Sequence, residues 1–163
     1  MSQKDFDEFV ANLKDELVAD STIFDLEIPD GFVDWFVKTG EFYNKTYNCV
    51  PAAVNIKSCV AGNCFQNSQL VALDNKGFDY YEGVLRTIKY KTLTHHGFNV
   101  IGNAVIDITH LCNKKEFEEE LKEGEYFYFG VVIPSEFISK YPQLLTAKFL
   151  NNPLLVDYFN YAK

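Results

Sequence analysis

The sequence predicts an α+β domain, and three observations carry that expectation. Near the N-terminus, Phe6, Phe9, Val10, Leu13 and Leu17 recur at helical spacing along residues 4–18. Residues 64–73 form a second helical stretch, opened by Asn63, a residue type that favours helix N-caps. Beyond it, apolar runs at 78–86, 94–101, 104–109 and 125–133 read as strands.

The expected order is helices, a central Cys-bearing helix packed on an antiparallel β-meander, and a helical tail. Residues 1–42 form the N-terminal helices, and Asp30 of the Pro29-Asp30-Gly31 loop caps the one carrying Phe32, Trp35 and Phe36. Residues 43–62 are irregular, with Pro51 and Gly62 as punctuation. Residues 62–133 are the core, including a short charged helix at 114–122. Residues 134–163 are the tail, capped by Ser135 and broken at Pro142 and Pro153. No repeat, low-complexity tract or Pro/Gly/Ser-rich linker divides the 163 residues, so one domain, 1–163, is expected.

Composition narrows the function. Hydrophobic residues make up 47% and charged residues 23%, an ordinary globular balance. Aromatics reach 16%, which favours a dense core. A net charge of −8 speaks against nucleic acid, whose phosphates need clustered Lys and Arg. It is compatible with a basic protein partner without requiring one. No apolar run approaches the ~20 residues of a membrane span, and from the polar residues Ser2 to Asp5 no leader is expected. A cytoplasmic location is expected, with Cys49, Cys59, Cys64 and Cys112 as thiols. No Cys-x-x-Cys spacing occurs, so no zinc or other metal and no cofactor is expected.

The informative turn is Ile101-Gly102-Asn103-Ala104. Gly-Asn between alternating apolar runs signals a two-residue hairpin. Ile101 then faces Ala104, Val100 faces Val105 and Phe98 faces Asp107. Paired residues share a face, and side chains alternate along a strand. His96, Phe98 and Val100 therefore share a face with Val105, Asp107 and Thr109. His96 and Asp107 become diagonal neighbours at roughly 7–8 Å. His95 points the other way with Gly97, Asn99 and Ile101, so the hairpin chooses between adjacent histidines.

A cysteine hydrolase needs a thiolate, a base that takes and returns its proton, and a group that orients the base. Just inside a helix start, Cys64 lies near unpaired N–H groups and the positive dipole end, which favour a thiolate. His96 supplies the base and Asp107 the orienter. Each has an ordinary alternative: a buried apolar cysteine, and a structural His–Asp hydrogen bond. Asn67, one helical turn below Cys64, either braces the site or bonds backbone locally. Glu82, sharing a face with Tyr80 and Val84, is a support, a substrate contact or an exposed strand carboxylate. The remaining cysteines lack such context.

At these residues the chain resembles the papain/transglutaminase-like superfamily. It is most similar to small bacterial and bacteriophage proteins with a Cys-x-x-Asn helix start, a Tyr-x-Glu-Gly strand, a His-Ala-Trp-Asn-Val strand, an Asp-Pro-Thr strand and a late Tyr-Phe-Gly-Val. The matching residues are Cys64 and Asn67; Tyr80-Tyr81-Glu82-Gly83; His96-Gly97-Phe98-Asn99-Val100; Asp107-Ile108-Thr109; and Tyr128-Phe129-Gly130-Val131. Gly97 stands for Ala, Phe98 for Trp and Ile108 for Pro. The resemblance covers about residues 62–133. It implies a Cys64–His96–Asp107 hydrolase acting on an amide bond of a protein or peptide substrate, with Asn63, Asn67, Glu82 and Asn99 in support or substrate binding. An oxyanion donor upstream of the cysteine is not identifiable; Asn55 and Asn63 are candidates beside the Cys64 backbone N–H. Loops 43–62 and 86–93 are expected to line the pocket.

Two readings of other classes remain. An acidic, aromatic-rich chain of bacteriophage type suits a non-catalytic interaction or inhibitor protein directed at a host or defence factor in the host cytoplasm. Redox sensing by Cys64 is the third.

Overall fold

A computed structural model describes residues 3–24, 27–44, 46, 59–87, 92–112, 126–141 and 153–163. The expected helix at 114–122, together with Pro51, Asn55 and Pro142, lies outside the described residues. The fold is α+β, with mixed helices and one antiparallel sheet.

Helix α1 spans Gln3–Ala19 and buries Leu13 and Leu17, two positions of the apolar stripe legible in the sequence. A 3-10 turn at Ser21–Phe24 brings Phe24 inward, and α2 follows at Phe32–Thr39. Asp30 does not cap α2. Gly31 occupies the N-cap with φ 79° and ψ 0°, and the Phe32 N–H donates to the Pro29 oxygen at 3.0 Å. That is the third position of a type II turn, which favours glycine and leaves Asp30 on the turn rather than at the helix end.

Helix α3 spans Cys64–Asp74. Strands β1 (Glu41–Tyr43), β2 (Asp79–Thr87), β3 (Leu93–Ile101), β4 (Ala104–Ile106) and β5 (Tyr126–Ile133) form a sheet in the order β1-β5-β2-β3-β4. The meander is therefore only β2-β3-β4. The fourth expected strand, β5, pairs on the other side of β2 and makes β2 central. Strand β1, too short for a readable alternation, adds to β5. Ile101 pairs with Ala104, Val100 with Val105 and Asn99 with Ile106, the register the Gly102-Asn103 turn predicts. The third strand stops at Ile106, however, and helix α4 begins at Ile108 and runs to Cys112.

Buried clusters lie on both faces of the sheet. On one face Tyr80, Val84, Phe129, Val131 and Ile133 meet the helices, including Phe32 and Phe36 of α2 and Leu155 and Phe159 of the C-terminal helix Leu155–Ala162. Fully burying one such Phe stabilises by about 1.5–3 kcal/mol. On the other face Tyr81, Phe98, Val100, Val105 and Tyr128 form a smaller aromatic cluster. A short helix, Ser135–Ile138, follows β5, and Pro134 rather than Ser135 stands at its N-cap. Cys59 and Cys112 form a disulfide, against the expectation of four thiols. Fifty-three positions apart in sequence, they are brought together because α4 packs beside the start of α3. No helix among the described residues is long and apolar enough to cross a membrane.

Candidate active site

Cys64 is the first residue of α3 and is buried. Asn63 holds the N-cap position but makes no side-chain cap bond; its amide nitrogen turns instead toward Gln66 Oε1 at 3.4 Å. The expectation that Asn63 caps the helix through its side chain is thus corrected.

Helix α3 lies on the face of β3 that presents Gly97. A β-carbon on Gly97 would stand 2.9 Å from Phe65 Cα and 3.2 Å from the Cys64 oxygen. His95 and Asn99 share that face by alternation. His96 lies on the opposite face, where its strand neighbours are Gly83 and, one strand further, Gly130. A β-carbon on Gly83 would stand 2.4 Å from Gly130 Cα, so β2 and β5 pack closely at this level of the sheet.

Strand β4 pairs with β3 only at residues 99–101. Beside His96 that margin of β3 has no strand partner among the described residues. Cys64 and His96 meet around that margin, close enough for the sulfur to act on the imidazole. Asp107 sits just past the end of β4, and its Oδ2 accepts a 2.7 Å bond from His96 Nε2. With Nε2 committed to Asp107, Nδ1 is the ring nitrogen left for the sulfur.

The sequence missed two groups on Asp107. His110 donates its Nδ1–H to Oδ2 at 2.9 Å and its backbone N–H to Oδ1 at 3.1 Å. Tyr128 donates its hydroxyl to Oδ2 at 3.0 Å. The His110 signal was present: three residues past an aspartate is where an Asx-type helix start takes its N–H. It was hidden because residues 107–109 read as strand. Tyr128 stood in the late Tyr-Phe-Gly-Val run, but its distance from Asp107 depends on β5 pairing with β2, which sequence spacing does not fix.

Burial alone would lower the His96 pKa. The Asp107 carboxylate, and after it the Cys64 side chain, outweigh burial and raise it to about 10. Burial would likewise raise Asp107, but His96 and His110 hold it well below the usual carboxylate range. His96 thus lies between a buried carboxylate and a buried cysteine, with the carboxylate favouring its protonated form.

Asn67 is buried and ties three segments together. It accepts from the Val60 N–H at 3.0 Å and donates to the Val60 oxygen and to Thr109 Oγ1, both at 2.8 Å. Thr109 is therefore on α4 against α3, not on the strand face with His96.

Glu82 and Asn99 are not brought to this site. Both are fully buried on the α3 face. Glu82 accepts from the Leu154 and Leu155 N–H groups at 2.7 and 3.0 Å, from the Tyr80 hydroxyl at 2.6 Å and from His95 Nε2 at 3.0 Å. It serves as the cap of the C-terminal helix, which has no side-chain cap of its own. The expected exposed carboxylate or substrate contact is replaced by a helix anchor. Asn99 donates to the Ser68 oxygen at 2.8 Å and fastens α3 to the sheet.

Among the described residues, no group of three or more His, Cys, Asp or Glu side chains is set to hold a metal ion. No family model, curated protein or solved structure matches the chain.

Proposed function

We propose that the chain is a cysteine hydrolase of the papain/transglutaminase-like kind, acting on an amide bond of a protein or peptide. One observation carries the reading: His96 bridges Asp107, at 2.7 Å, and the Cys64 side chain at a helix start. In the proposed reaction the Cys64 sulfur attacks the amide carbon and forms a C–S bond. His96 gives its proton to the departing nitrogen as the C–N bond breaks. His96 then takes a proton from water, whose oxygen attacks the thioester, releasing the acid and restoring the thiolate. An amine in place of water gives acyl transfer at the same site. The Cys64 backbone N–H and the Asn63 amide, which is not used for capping, are the candidate oxyanion donors.

Mass spectrometry of a mixed peptide and glutamine-peptide pool after incubation with wild type and with Cys64→Ala tests this. A cleaved, deamidated or cross-linked product made by wild type alone supports the enzyme. The same product from a Cys64→Ala protein with an unchanged melting curve overturns it.

A second reading is favoured by burial: Cys64, His96 and Asp107 are 8, 6 and 5% exposed. A non-catalytic binder on this fold needs no open thiol, and its effect would survive Cys64→Ala.

A further inference from the structure

Asp107 stands one residue beyond β4, where no strand ladder fixes its side chain. Its orientation depends on the donors it meets, and His110 meets both of its oxygens. The bond from the His110 backbone N–H to Oδ1 survives any substitution except proline. The bond from Nδ1–H to Oδ2, at 2.9 Å, depends on the side chain. That oxygen is the one that receives His96 Nε2. The two imidazoles also lie nearly parallel, with centroids 5.5 Å apart and planes 24° apart. His110 therefore limits the rotation of the carboxylate and the tilt of the ring that the carboxylate holds.

We propose that His110 is a positioning residue for the Cys64–His96 pair, acting through Asp107. This rests on reading that pair as the reacting groups. The groups around His110 agree with such a role: Asp107 at the head of its own helix, His96 from β3, and Tyr126 from β5 with its ring 5.5 Å away, while Tyr128 of β5 donates to the same Asp107 oxygen. Because a carboxylate oxygen can only accept, Nδ1 of His110 carries hydrogen. A side-chain amide at position 110 can offer an N–H to the same oxygen, whereas a phenyl ring keeps the stack and loses the donor.

The test is the rate of iodoacetamide alkylation at Cys64 in the full chain, mapped by peptide mass, with melting curves for every variant. We expect His110→Phe to slow alkylation roughly tenfold, the effect of losing one hydrogen bond to a charged group. His110→Asn should stay within about threefold of wild type, since its amide restores that donor. A His110→Phe protein that reacts at the wild-type rate, or a His110→Asn protein as slow as His110→Phe, overturns the proposal. Nitrogen-15 NMR of the unmodified chain tests it without any variant: His110 should be protonated at Nδ1, and an unprotonated Nδ1 overturns it. His96→Ala separates the two levels. If it leaves alkylation unchanged, the Cys64–His96 reading itself fails; if it slows alkylation while His110→Phe does not, only the role of His110 fails.

Discussion

The backbone of Phe65 rests on Gly97: a β-carbon on that glycine would stand 2.9 Å from Phe65 Cα. The neighbour is backbone, so it cannot swing aside. Helix α3 is pinned there by Ser68 Oγ donating to the Gly97 oxygen at 3.0 Å and by Asn99 donating back to Ser68. Gly97→Ala must push the start of α3, and Cys64 with it, off the sheet. We expect a loss of about 1–3 kcal/mol in urea unfolding, typical of overpacking. An unchanged midpoint would contradict this packing.

Glu82 gathers four donors in a site that is closed to solvent. Glu82→Ala leaves the Leu154 and Leu155 N–H groups, the Tyr80 hydroxyl and His95 without their acceptor. Breaking one side of a buried charged network costs roughly 3–5 kcal/mol. Amide hydrogen exchange should show lost protection at Leu154 and Leu155 before global unfolding. Retained protection at those amides would remove Glu82 as the anchor of the C-terminal helix.

The site also sets a pH dependence of stability. His96 titrates near 10 in the folded chain, above its ordinary value, so its contribution is fully present below about pH 6.5 and is lost as pH rises through about 10. Asp107 is held low, so its contribution is present above about pH 4 and is lost as pH falls further. The stability gap between wild type and Asp107→Asn should therefore be widest between about pH 4 and pH 6.5. It should shrink with rising pH by at most about 1.4 kcal/mol per unit, the value for one proton. Urea unfolding from pH 6 to 10.5 measures it, and a gap that widens with pH would contradict the His96–Asp107 pairing.

Local rules carried the fold as far as the hairpin. Gly102-Asn103 set the β3–β4 register, and with it which of His95 and His96 faces Asp107. The same rules failed where tertiary contacts decide. Asp30 and Asn63 are good capping residue types, but a Gly31 turn and a contact with Gln66 took their places. Strand β4 was read three residues too long, because Ile108 and Thr109 favour strands locally while Asp107 starts a helix. That error hid His110. Glu82 alternates correctly with Tyr80 and Val84, yet its partners Leu154 and Leu155 lie more than seventy positions away and leave no local trace. The Cys59–Cys112 pairing likewise depends on how α4 meets α3.

The most direct test of the Cys64–His96–Asp107 constellation is the alkylation rate of Cys64 by iodoacetamide at neutral pH in wild type, His96→Ala and His95→Ala. His95 is held by Glu82 on the α3 face, and His96 reaches the sulfur from the other. We expect His96→Ala to slow the reaction by about tenfold or more, since the base proposed to take the proton of the sulfur is lost. His95→Ala should leave the rate within about threefold of wild type, less than one hydrogen bond to a charged group is worth. Equal effects of the two substitutions, or a larger effect of His95→Ala, would contradict the assignment of His96 as the partner of Cys64.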